Sequence, residues 1–146
     1  MSREVIVAWD GIEDGSRREE EIASLDQLES VLDTIELLSM QSGSIYHVDL
    51  RLTRISAGDP TLIQFLVGHP ERSSLLWHED GAALFAVQGQ MNRLCEDLTC
   101  RRYGHDEYIE PQFTMIDYAA VRATLSLYLL LGCRPDAVNW LEAEQD

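Results

Sequence analysis

From about Met115 to Leu131 the chain is apolar on nearly every side of a helix, broken mainly by Arg122, Thr124 and Ser126. Such a helix has no face to give to water, so the rest of the fold has to supply a wall that buries it. The stop is tightly specified. Gly132 can adopt the left-handed conformation that closes a helix, and Pro135 cannot continue one, so the chain turns before Val138 and Trp140 add their bulk. Thr114, with Asp117 three residues on, is the expected cap at the other end.

A wall of that kind is legible upstream. Glu4 to Trp9 reads as a short strand, and the polar run Asp10 to Glu21 as a loop. Ser24 followed by Gln27 is a capping-box pattern, and Leu25, Leu28, Leu32 and Ile35 then fall at helical spacing until Gly43. The opposite side of this helix carries Asp26, Glu29, Asp33 and Glu36, a solvated face by default. From Tyr46 the period changes to two, which predicts a half-exposed antiparallel strand. Leu62 to Val67 is nearly continuous apolar sequence, as in a strand covered on both sides. Glu79-Asp80-Gly81 separates Leu75-Leu76-Trp77 from Ala82 to Val87 as a hairpin turn.

The expected fold class is α+β, with a mostly antiparallel sheet of about five or six strands packed against two main helices. A chain of 146 residues is one ordinary domain. Along it, 1–23 is strand and acidic loop, 24–42 helix, and 44–88 antiparallel strands. Residues 89–113 read as irregular, 114–132 as the buried helix, and 133–146 as a closing turn, short strand and acidic tail.

Charge narrows the function. Acidic residues number 26 against 11 basic ones, every basic one is arginine, and the formal net charge is −15. That field repels a polyanion, so nucleic acid is excluded as a direct ligand, and it speeds encounter with a basic protein. Nothing is long and apolar enough to span a bilayer or act as a signal peptide, so the chain reads as cytoplasmic with no membrane partner. Three cysteines, Cys95, Cys100 and Cys133, cannot all pair, and free thiols are expected.

Motifs that would mark an enzyme are incomplete. His105-Asp106-Glu107 matches one half of the zinc-deaminase signature, but no P-C-x-x-C follows. Cys95 and Cys100 with His105 or His78 lack the spacing of common zinc sites. Ser73, Ser74, His69 and His78 belong to no recognised nucleophile motif. The reading is no enzyme, with no catalytic residue, cofactor or metal. Partner recognition is assigned instead to the acidic clusters Glu13-Asp14, Glu19-Glu20-Glu21, Glu79-Asp80 and Asp106-Glu107, with Trp77 as an aromatic anchor.

The order of elements toward the end is itself distinctive. Leu75-Leu76-Trp77 and Gly81-Ala82-Ala83-Leu84-Phe85 are followed by Tyr118-Ala119-Ala120-Val121-Arg122-Ala123, Leu127-Tyr128-Leu129 and Leu131-Gly132-Cys133-Arg134-Pro135-Asp136-Ala137-Val138-Asn139-Trp140. This pattern resembles the Imm1 family of immunity proteins. The resemblance implies a cytosolic antidote that binds and blocks a cognate toxin domain, commonly a nucleic-acid deaminase. It makes Ala123, Gly132, Arg134, Pro135 and Trp140 framework positions, with Arg134 expected to bridge to a carboxylate near the sheet. The partner would be a basic, nucleic-acid-modifying toxin whose cleft the acidic loops occlude. The alternative is an acidic chaperone or adaptor that holds a secreted client without silencing it.

Overall fold

The computed structural model describes residues 4–10, 16–88 and 96–143. The chain runs β1 (Val5–Asp10), β2 (Arg17–Ile22), α1 (Leu25–Ser42), β3 (Tyr46–Leu52), β4 (Leu62–Val67), β5 (Leu75–Glu79) and β6 (Ala82–Val87). It continues through β7 (Leu98–Arg102), β8 (His105–Ile109), a 3₁₀ turn at Pro111–Phe113, α2 (Tyr118–Leu131) and β9 (Asn139–Glu142). Among the described residues the strands form one nine-stranded sheet, ordered β2-β1-β3-β4-β5-β6-β9, with the β7–β8 hairpin branching from β3. The branch is a single parallel pair, Tyr46 with Arg101, whereas every other ladder is antiparallel.

The α+β class is as expected, but the sheet has more strands than the about five or six inferred from alternation. Two stretches account for the difference. β2 lies in the polar run that reads as a loop, and β7 and β8 lie in the segment that reads as irregular. All three are rich in charge and pair through backbone registers that side-chain pattern does not reveal.

Local signals explain α1. Ser24 Oγ accepts the Gln27 N–H at 3.2 Å, and Gln27 Oε1 reaches back to the Ala23 N–H at 2.6 Å. Gly43, at φ 71°, closes the helix and donates to Ser39 O at 2.9 Å. Leu28, Val31, Leu32 and Ile35 form its buried stripe. They pack on the same sheet face as Val121, Leu125, Tyr128 and Leu129 of α2, over Val7, Val48, Leu50, Phe65 and Trp77. Each such side chain contributes about 1.5–3 kcal/mol of gross apolar stabilisation, most of it offset by chain entropy.

α2 begins later than the sequence suggested. Its cap is Asp117, whose Oδ1 accepts the Ala120 N–H at 2.8 Å, while Thr114 Oγ1 donates to Pro111 O. Nor is the helix covered all round, because Leu130 and Leu131 at its last turn are exposed. The polar side of α1 is not simply solvated either. Arg122 of α2 reaches Glu29, Asp33 and Glu36, three carboxylates spaced to lie on one face of α1.

β3 differs from its predicted half-exposed state in an informative way. Tyr46, Val48 and Leu50 face the helices, but His47 and Asp49 on the other face are also buried. The hairpin β7–β8 supplies the cover, packing Leu98, Cys100 and Ile109 against Leu66 of β4 as a second, smaller core. No helix among the described residues is long and apolar enough to cross a membrane.

Candidate functional site

Alternation along the strands puts a polar cluster on the sheet face away from the helices. Asp49 of β3 accepts from Gln64 Nε2 of β4 at 3.1 Å and pairs with Arg17 of β2 and with Arg102 of β7. Gln64 Oε1 can only accept, so His78 of β5 meets it through a protonated Nε2 at 2.8 Å. Asp10, wholly buried at the end of β1, pairs with Arg17 at 3.1 Å and accepts the backbone N–H groups of Tyr103 and Gly104. The Arg17 and Arg102 guanidiniums lie 4.6 and 4.9 Å from the Tyr103 ring centre.

The electrostatics of this face favour clamping. Burial, with the Arg102 charge beside it, brings the His47 imidazole down to about 4, so it is neutral near pH 7. His78 is also lowered, chiefly by burial. Burial and then the Glu107 charge push the Cys100 thiol up to about 12, which makes it an inert packing group rather than a nucleophile. Ser73 and His69 have structural partners: Ser73 Oγ donates to Leu66 O at 2.7 Å, and His69 Nδ1 accepts the Glu71 and Arg72 N–H groups. Among the described residues no three histidines, cysteines or carboxylates converge as a metal site, and Cys95 lies outside those residues.

The recognition residues named from sequence do not form one patch. Glu19, Glu20 and Glu21 lie exposed on β2, at the free edge of the sheet, with Glu19 held to Arg51 at 3.1 Å. Glu107 pairs with Arg102 at 3.5 Å, and Asp106 is exposed on the same strand. Glu79 and Asp80 sit well away from them, since β5 is four strand steps, roughly 19 Å, from β2. Trp77 is 1% exposed and cannot be a surface anchor. The period-two pattern of β5 turns it into the core, where it meets Tyr128 edge-on at 4.9 Å. Glu13 and Asp14 lie outside the described residues.

Sequence reasoning missed Asp10, Arg17, Asp49, Arg102 and Tyr103. The one local signal was Tyr103-Gly104, two residues able to make a tight turn between Arg102 and His105.

The closing segment is framework throughout. Gly132, at φ 74°, ends α2 and donates to Tyr128 O at 2.8 Å. Trp140 donates from Nε1 to Pro135 O at 2.7 Å and packs edge-on against Trp77. Arg134 lies 5.6 Å from the Trp140 ring centre and reaches Glu79 at 3.4 Å, the carboxylate bridge expected of it. Glu79 also accepts Trp77 Nε1 at 3.2 Å, so both its oxygens are engaged. The family model for Immunity protein Imm1 matches residues 16–142, from the start of β2 to the end of β9. The chain belongs to the Imm1 immunity protein family. No curated protein matches it.

Membership implies a cognate toxin as partner. In this Imm1 chain the Gly-x-Arg-Pro turn and the tryptophan after it lock the last strand to the core through Trp77, Glu79 and Tyr128. Those residues hold the fold, and recognition has to come from what the Imm1 frame displays. A cleft of about 580 Å³ between the end of α1 and the start of α2 is lined in part by Glu36, Met40, His69 and Tyr118. Its Glu36 carboxylate is already taken by Arg122.

Proposed function

We propose that this Imm1 chain is a cytoplasmic antidote that binds its cognate toxin domain one-to-one and covers the toxin's active-site cleft with carboxylates. A basic nucleic-acid-modifying domain, with deaminase the favoured class, fits that role. The observation that carries the proposal is the free edge strand β2, which displays Glu19, Glu20 and Glu21 in succession on a chain of net charge −15. Glu19 and Glu21 share one face of the edge strand and Glu20 lies on the other; exposed carboxylates so placed complement the cationic groups a nucleic-acid cleft presents to phosphates, and they accelerate encounter. Such a complex buries on the order of 1,600 Å².

The experiment is an activity titration of the toxin domain encoded beside this gene, with survival on co-expression as its cellular counterpart. Stoichiometric loss of activity is expected, with an association rate that falls as salt rises. Replacing Glu19, Glu20 and Glu21 together by Gln should slow association. A toxin that remains fully active when saturated with this protein overturns the antidote reading and leaves that of an adaptor.

A further inference from the structure

Among the described residues two tight hairpin turns carry positive φ at both central positions. Asp80-Gly81 has φ values of 49° and 78°, and Tyr103-Gly104 has 52° and 76°. This geometry selects Asn, Asp or Gly at the first position, because a Cβ there crowds the backbone. The β5–β6 turn obeys the rule. The β7–β8 turn places a tyrosine where the backbone disfavours it, and the ring gives little burial in return, being 56% exposed.

Much is nevertheless invested in holding that tyrosine still. Asp10 accepts its backbone N–H and the next, and two guanidiniums lie against its ring. Tyr108, further up β8 and opposite Thr99, is 66% exposed. The two rings are separated by roughly 10–15 Å along the hairpin. The surface around them is mainly acidic, with Glu96, Asp97, Asp106 and Glu110 exposed against the half-buried Arg101 opposite Asp106, while Arg17 and Arg102 are committed to carboxylates.

We infer that Tyr103 and Tyr108 are the anchor side chains of the toxin interface, displayed on a hairpin whose other face is fastened to the sheet. The inference rests on the antidote reading above. Tyrosine supplies a large amphipathic contact at low entropic cost and is enriched among residues that dominate interfaces. Two exposed phenols on a mainly acidic hairpin complement a partner surface with apolar pockets rimmed by Lys and Arg, which is the chemistry of a nucleic-acid-binding cleft. The occupant is therefore the toxin domain itself.

The test measures binding of the toxin domain encoded beside this gene to wild type, Tyr103→Asn, Tyr108→Ala and the distant control Leu131→Ala. Asn tolerates the left-handed turn, and Tyr108 lies outside both cores, so the fold is retained. Each tyrosine variant should raise Kd by at least about 30-fold, and the control by less than about 3-fold. Amide exchange on the wild-type complex, which needs no variant, should show new protection across residues 98–109. Wild-type binding with either tyrosine variant unchanged, or with no protection on the hairpin, overturns the inference and leaves the antidote reading standing. Absence of wild-type binding overturns both.

Discussion

The carboxylate of Asp10 accepts the backbone N–H of Gly104 at 2.8 Å across 94 residues of sequence, which makes the first strand the anchor of the β7–β8 tip. The same carboxylate neutralises Arg17, so one buried side chain ties β1, β2 and the hairpin together. Replacing it by Ala leaves two amide donors without their acceptor and Arg17 with Asp49 as its remaining carboxylate. Asp10→Ala is expected to cost about 3 kcal/mol, and Asp10→Asn less, because one oxygen remains. At about 2–4 °C per kcal/mol the Ala variant should melt roughly 6–12 °C lower. A melting temperature equal to wild type would show that the hairpin is held by its small apolar core alone.

Arg122 gathers three α1 carboxylates that repel one another once it is gone. Its own side chain is 20% exposed, but Glu29, Asp33 and Glu36 are far more open, so solvent screens the interaction. Arg122→Met should cost about 1–2 kcal/mol in urea unfolding at low salt. Added salt should narrow the gap between the two proteins. A gap that salt leaves unchanged would mean that packing, not charge, links the helices.

His47 makes stability depend on pH. Its folded value, about 4, lies below the ordinary 6.5, so between these values the unfolded chain binds more protons than the native one. The native state therefore keeps its full stability above pH 6.5 and loses it as pH falls towards 4, with no further loss from this group below that. The gap corresponds to about 3 kcal/mol. Chemical denaturation of wild type and His47→Gln at pH 7 and pH 4.5 checks this, and the variant should show the shallower decline. Parallel declines would remove His47 as the cause.

Thiol reactivity separates the two described cysteines. Cys133 is exposed beyond the end of α2, whereas Cys100 is buried with its thiol at about 12. Iodoacetamide at pH 8 should modify Cys133 in the native protein and reach Cys100 only after denaturation, as peptide mass analysis would reveal. Equal labelling of Cys100 under native conditions would place it in an open hairpin.

How much was legible from sequence follows the range of each interaction. The Ser24 cap, the Gly43 and Gly132 stops and the Asp80-Gly81 turn are set within a few residues and agree with the structure, whereas the alternation of β3 gives the strand but not the cover on its polar face. The β7–β8 hairpin was not legible, because Arg101, Arg102, His105, Asp106 and Glu107 swamp any apolar alternation. It is held by Asp10, Asp49 and Leu66, all far away in the chain. The same reason scattered the acidic candidates. Nearness to Glu79 suggests a surface role for Trp77, and the two do share a face of β5, but Glu79 lies at the strand's open end whereas Trp77, two residues further in, is covered by Tyr128 of α2.

β9 covers a strand that would be hazardous if left bare. β6 reads Ala-Ala-Leu-Phe-Ala-Val, uncharged and free of proline, the composition of a segment that recruits copies of itself into cross-β stacks. In the finished protein β9 pairs along it, and Trp140 secures that cover against Trp77. A nascent or truncated product ending before Asn139 presents this strand as a bare edge. The four residues of β9 therefore shield a strand with cross-β character, and the turn that delivers them guards that edge as well as closing the fold.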